Sequence, residues 1–167
     1  MDTAPVLTNE TTSGSANDAK QYLTFLLAEA EYGVDILRVQ EIKGWDMVTA
    51  LPNTPGYVRG VMNLRGTIVP IIDLRQRFDL ETLDYGLTTV VVVLRVVHER
   101  GSRIMGIVVD AVSDVCHVTD ADMRPVPECA NTASGDCVRG LATVNDKMVI
   151  MLDIDQLLNA GELAAAA

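Results

Sequence analysis

The sequence predicts an all-β protein made of two small barrels, and three observations predict it. From Tyr22 onward β-branched residues dominate, and turn signals recur every 8–12 residues as EAEYG, PNTPG, LRG, HERGS and NDK. That spacing belongs to an all-β barrel or sandwich. Residues 58–78 align without gaps on residues 138–158, VRGVMNLRGTIVPIIDLRQRF over VRGLATVNDKMVIMLDIDQLL, so the chain carries an internal duplication. Helix signals occur in two places only, after Asp73 and after Asp153, and these are equivalent positions in the two copies.

Residues 1–19 are expected to form a flexible N-terminal tail, since TNETTSGSANDAK (8–20) is small, polar and without periodicity. Residues 20–160 form the folded region. Its upstream strands are repeated as well, because YGVDILRVQEI (32–42) resembles MGIVVDAVSDV (105–115) without gaps. Each copy therefore reads strand, strand, loop, hairpin, short helix. The first barrel is expected over about 20–84 and the second over about 85–152, with a helix at 153–160 and a tail at 161–167. TTVVVVLRVV (88–97), HERGS and RIMGIVVD (103–110) form a strong hairpin candidate. An isolated hairpin is marginal in water, so each copy should close on itself and pack against the other, leaving a groove between lobes.

Within the first copy, Arg65 is a permanent charge in an apolar stretch. The expected hairpin turn at Leu64-Arg65-Gly66 lets its side chain leave the sheet, while Gly66 supplies the unusual backbone angle. The second copy turns at Val144-Asn145-Asp146. Pro70 points to a sheet edge or a bulge, because proline cannot donate to a ladder. Asp73 with Gln76, and Asp153 with Gln156, have the spacing of a helix N-cap and a reciprocal partner. Asp153 and Asp155 also read as acids complementing a helix dipole.

The formal charge is −10, from 13 Lys+Arg against 23 Asp+Glu, which disfavours nucleic acid as a partner. Residues 38–77 reverse the sign, six cations against three acids. They read either as a docking face for an acidic partner or as scattered solvated charges. Three cysteines without CxxC spacing suggest neither a disulfide framework nor zinc. A basic N-region and long apolar runs are lacking, so a soluble cytosolic protein is expected. There is no phosphate loop, GxSxG or HExxH, and Asp120 and Asp122 lack the rest of a calcium loop. No cofactor and no metal are expected. The only material for a small β-barrel enzyme is Asp110, Asp114, Cys116 and His117. Adjacent strand residues face opposite ways, which sets Cys116 and His117 apart. An interaction module is the reading the residues favour.

The stretches EYGVDILRVQEIKGW (31–45), NTPGYVRGVMNLRGTIVPIIDLRQRF (53–78) and GIVVDAVSDV (106–115) resemble the CheW-like family of chemotaxis coupling proteins. The resemblance covers about residues 20–160. The pattern is shared with the regulatory domain of the CheA histidine kinase, and a length of 167 residues favours the coupling protein. The resemblance implies two intertwined five-stranded SH3-like barrels. It implies a non-catalytic adaptor between the regulatory domain of the CheA kinase and the cytoplasmic tip of methyl-accepting chemoreceptors. Such an adaptor meets the membrane only through receptors, in arrays at its inner face. Carried over residue by residue, the receptor surface comprises Val39, Glu41, Arg65, Val90, Gly106 and Val115, and the kinase surface Ile42, Glu128 and Cys129. An aromatic is usual in the family where Cys129 stands. Glu41 and Arg65 are expected to pair across the first barrel, orienting the turn. The loop HERGSR (98–103) looks longer than is common in the family. The alternatives are a coupling protein of a non-flagellar chemosensory pathway, controlling pili or a second messenger, and the small β-barrel enzyme.

Overall fold

The computed structural model describes residues 19–81, 84–127 and 137–159. Eleven strands run in chain order: β1 (Lys20–Leu27), β2 (Ala30–Asp35), β3 (Val39–Gly44), β4 (Val58–Leu64), β5 (Thr67–Asp73), β6 (Val90–His98), β7 (Gly101–Val109), β8 (Ala111–Val118), β9 (Met123–Arg124), β10 (Val138–Val144) and β11 (Lys147–Leu152). Helices α1 (Leu74–Arg77) and α2 (Ile154–Asn159) follow β5 and β11, and 3₁₀ turns occupy Ile36–Arg38 and Asp120–Asp122. The strands form a six-stranded sheet, β8-β1-β2-β11-β10-β9, and a five-stranded sheet, β3-β6-β7-β5-β4.

The duplication is structural. β4 and β10 alternate buried and exposed positions in the same pattern, and both are bulged, at Arg59 opposite Ile71–Ile72 and at Arg139 opposite Met151–Leu152. β5 runs parallel to β7 through Ile71–Asp73, and β11 runs parallel to β2 through Val149–Met151. Apart from the two-residue β9, the sheets have the same strand order, with β3, β6, β7, β5 and β4 in the places of β8, β1, β2, β11 and β10.

The sheets do not divide the chain near residue 84. β1 and β2 join β8–β11, while β3–β5 join β6 and β7. Short connections impose this exchange. β8 lies beside β1 and runs parallel to β2. For β3 to take that place, the chain would have to return along the whole of β2, about 20 Å at about 3.3 Å per residue. Only Ile36–Arg38 separate β2 from β3, and three residues span about 10 Å. The chain therefore bends once and crosses into the other sheet. It crosses back after β7 through Asp110 alone.

Each sheet curls over its own small interior. Met62, Val69, Ile71, Val91, Val93 and Val108 fill the five-stranded one, and Tyr22, Cys116, Val118, Ala142, Val149 and Met151 fill the other. The largest apolar cluster lies between the sheets, drawing Phe25, Leu27 and Val34 from one, Ile72, Val92 and Leu94 from the other, and Leu157 and Leu158 from α2.

Several expectations are corrected. Pro70 lies in β5, an interior strand, paired with Val61 just ahead of the ladder to β7, which begins at Ile71. Its missing N–H therefore breaks no bond of that ladder. HERGSR is not a long loop: the β6–β7 ladder extends to His98 opposite Gly101, leaving the turn Glu99-Arg100. Asp73 caps α1 by accepting the Arg75 and Gln76 N–H groups, and Asp153 accepts that of Gln156. The reciprocal arm does not form, because the Asp73 and Asp153 N–H groups donate to the Tyr57 and Cys137 carbonyls.

Candidate partner-binding surfaces

Arg65 and Gly66 are the central residues of a two-residue turn, with φ of 52° and 89°. Positive φ at both positions is a type I′ turn, whose twist matches a hairpin. The Asn63 side chain accepts the Gly66 N–H at 2.8 Å. The Arg65 guanidinium then reaches Glu41 on β3 at 2.9 Å. In the strand order β3 and β4 are the two ends of the five-stranded sheet. The ion pair thus spans the seam where this sheet curls round on itself. Beneath it lies a depression floored by Leu64, Val69, Val93 and Ile104. The expected pairing is present. The charge in the apolar stretch belongs to the closure of a barrel.

A bulge in β3 decides which way its neighbours point. Val39 pairs with Leu94 and Glu41 with Val93, so Gln40 is the extra residue. Cross-strand partners share a face. Val39 therefore joins Leu94 on the shared core, whereas Glu41 joins Val93 over the small interior. Ile42 pairs with Val92 and returns to the shared-core face, where it stays 42% exposed. The second copy repeats this bulge at Ser113 on β8, and Val115 occupies the position of Ile42, 40% exposed and opposite Leu23. The two carried-over apolar contacts, one assigned to each partner, are thus equivalent positions on the outer strands of the two sheets.

The remaining candidates scatter. Val90 packs against the shared core at the other end of the β3–β6 ladder from Val39. Gly106 is buried; a Cβ there would meet Ile71 Cδ1 at 2.8 Å and Val91 Cγ1 at 2.9 Å. It shapes the barrel interior and offers no surface. Glu128 and Cys129 lie outside the described residues.

The basic segment is not a free docking face. Arg38 pairs with both carboxylate oxygens of Asp155 at 2.8 Å, and Arg75 with both of Asp110 at 2.8 and 2.7 Å. Arg59 and Arg77 lie over the Tyr85 and Tyr57 rings. Asp155 is accordingly more than a helix-dipole acid. Sequence reasoning missed both bidentate pairs. The Arg75 guanidinium holds the Asp110 carboxyl below the usual carboxylate range, aided by the Ala28 N–H. Burial pushes the Asp155 carboxyl up, but Arg38 and the Val97 N–H outweigh it and the net shift is down. Three of the four residues named for the enzyme reading are placed by their contacts. Both Asp110 oxygens are engaged, Cys116 is buried with its thiol pushed up by burial, and His117 is exposed and touches Gln21. Among the described residues no group of three or more His, Cys, Asp or Glu could hold a metal ion, and no helix is long and apolar enough to cross a membrane.

Comparison with known proteins gives the same family from three directions. The family model described as CheW-like domain matches residues 21–162. A chemotaxis protein CheW of Klebsiella aerogenes is 48% identical over 145 residues, covering 87% of this chain and 85% of that one. A chemotaxis protein CheW of Rhizobium meliloti is 33% identical over 150 residues, covering 90% and 94%. The crystal structure of the scaffolding protein TtCheW from Thermoanaerobacter tengcongensis superposes with a TM-score of 0.76 at 31% identity, covering 86% and 90%.

Proposed function

The chain belongs to the CheW-like domain family, and from that premise we propose that it is a non-catalytic adaptor coupling chemoreceptors to the CheA histidine kinase. The observation that carries this reading is the alternation along β3. Glu41 faces the seam with Arg65, while Ile42, the next residue, stands exposed on the opposite face. One strand can thereby hold two partners at once without their competing for the same side chains. The receptor tip engages the seam and the groove edge, through Glu41, Arg65, Val39, Val90 and Val115, with Gly106 acting through the barrel beneath. The kinase regulatory domain engages Ile42, and Glu128 and Cys129 belong to a second contact with it. The protein is cytoplasmic and reaches the membrane through receptors. Each contact is of roughly micromolar strength, about −8 kcal/mol, made effective by the multivalency of an array.

Titration of this protein into kinase and receptor-containing membranes tests the reading. A two-sided bridge gives a bell: autophosphorylation rises as ternary complexes assemble, then falls as receptors and kinases each saturate with separate adaptors. A flat response across the titration overturns it.

A further inference from the structure

The two bidentate ion pairs occupy equivalent places with their charges exchanged. Arg75 on α1 and Asp155 on α2 are aligned positions of the duplicated unit. Each reaches the corner where the chain crosses between sheets. Arg75 meets Asp110 at the β7–β8 corner, and Asp155 meets Arg38 at the β2–β3 corner. In both places the carboxylate also accepts a backbone N–H from the neighbouring hairpin. Ala28 donates to Asp110 at 2.9 Å and Val97 to Asp155 at 2.8 Å, and Ala28 and Val97 are themselves equivalent in the β1–β2 and β6–β7 registers. The architecture of the clamp is conserved between lobes and only its polarity is reversed.

We propose that this reversed polarity selects which hairpin–helix unit docks in which lobe. The units β4-β5-α1 and β10-β11-α2 present the same burial pattern and the same parallel edge to β7 and β2. Apolar packing alone discriminates weakly between two such similar units, since cores accept substitutions that keep volume and pattern. Residues 45–57 link β3 to β4, and thirteen extended residues reach roughly 40 Å, enough to serve either lobe. In the exchanged arrangement α1 would bring Arg75 to Arg38, and α2 would bring Asp155 to Asp110. Both half-buried contacts would then join like charges. Specificity of this kind requires penalising the alternative as well as stabilising the target. The same penalty acts between molecules when a unit enters the non-equivalent slot of a second copy, whereas a swap of identical units keeps both native pairs and is not penalised.

Charge-swap variants, unfolded in denaturant and refolded, test this in the full chain. R38D/D155R puts arginine on both helices and aspartate at both corners, so that either unit fits either slot. R75D/D110R creates the same ambiguity with opposite charges. The quadruple variant R38D/D155R/R75D/D110R reverses both clamps and restores the discrimination. The readouts are the fraction recovered as monomer by size-exclusion chromatography and the number of species in amide spectra. Each double variant is expected to lose at least two-fold in single-species monomer, the remainder appearing as exchanged monomer or as dimer with units docked in the non-equivalent slots. The quadruple variant is expected to refold to one species. It also loses the carboxylates that serve both the Ala28 and Val97 N–H groups, so it should be the least stable chain of the set while refolding more faithfully than either double variant. A merely stabilising role orders the variants the other way. Clean refolding of both double variants, or a quadruple variant as heterogeneous as they are, overturns the proposal.

Discussion

At the scale of single residues, the proposed receptor contact turns on one hairpin turn and on one buried glycine. Arg65 adopts a backbone conformation that disfavours side chains with a Cβ and is 80% exposed, so its pair with a less exposed Glu41 is worth about 0–1 kcal/mol in stability. On the proposed reading its worth is positional. Charge reversal at either residue should weaken receptor binding, and E41R/R65E should recover more of it than either single reversal, as read by pull-down with receptor-containing membranes. Absence of any rescue would discredit the pairing as the operative feature. Asn63 supports the same turn through the Gly66 N–H. Asn63→Ala should therefore weaken receptor binding several-fold in the native background and have no further effect in an R65A background. Gly106→Ala places a methyl against Ile71 and Val91, and overpacking of this kind costs about 1–3 kcal/mol. Thermal denaturation should register that loss before any binding assay does. The sequence showed the turn, because Leu-Arg-Gly between apolar runs carries a local signal. It did not show that Gly106 is interior, since a glycine reads alike whether a partner or its own barrel comes close.

At the scale of elements, local chemistry was legible and distant chemistry was not. Asp73 and Asp153 were readable as caps because the groups they bond lie within three residues. The reciprocal arms failed because Tyr57 and Cys137, far off in sequence, had already taken the cap N–H groups. The Arg38–Asp155 pair spans 117 positions and follows no local pattern. The paired carboxylates give the stability a defined pH dependence. Asp110 and Asp155 both titrate below their ordinary value in the folded protein, so the unfolded chain binds protons more readily. Their contribution is complete above the unfolded value of about 3.9 and is lost as pH falls through the folded values. Melting temperature should fall between pH 5 and pH 3. D110N/D155N should melt lower than the native chain at pH 7 and fall less steeply on acidification. An unchanged slope would show that other carboxylates govern the acid limb. Tyr85 acts in the opposite direction: burial first, and then the hydrogen bond to Asp73, push its phenol well up. It therefore stabilises the fold below its unfolded value of about 10 and ceases to do so as pH rises through the folded one.

At the scale of the whole molecule, the duplication was plain in the sequence and the exchange of strands was not. A division near residue 84 follows the order of the repeats, whereas sheet membership follows the connections after β2 and β7. Those connections are short enough to force the crossing, but their meaning depends on knowing that β8 lies beside β1. The exchange makes the lobes inseparable. Residues 20–84 contain β1–β5, yet β3 finds its sheet partner on β6, and β5 and β2 each find one of their two partners on β7 and β11. The central cluster likewise needs Phe25 and Ile72 from the first half and Val92 and Leu157 from the second. Neither half can bury its apolar face alone. A fragment of residues 1–84 should therefore be unfolded by far-UV circular dichroism, and so should residues 85–167. Mixed in equal amounts they should assemble into one folded complex, because the break falls between β5 and β6, where no ladder is cut. The intact chain should unfold in a single transition, with fluorescence of its one tryptophan, Trp45, coincident with circular dichroism. Trp45 packs on Tyr85 beside the five-stranded interior, so its early loss would reveal one barrel melting before the other. Separate transitions, or a first fragment that folds unaided, would mean that each barrel stands on its own interior. A signal entering at the proposed receptor seam would then have no shared core through which to reach Ile42.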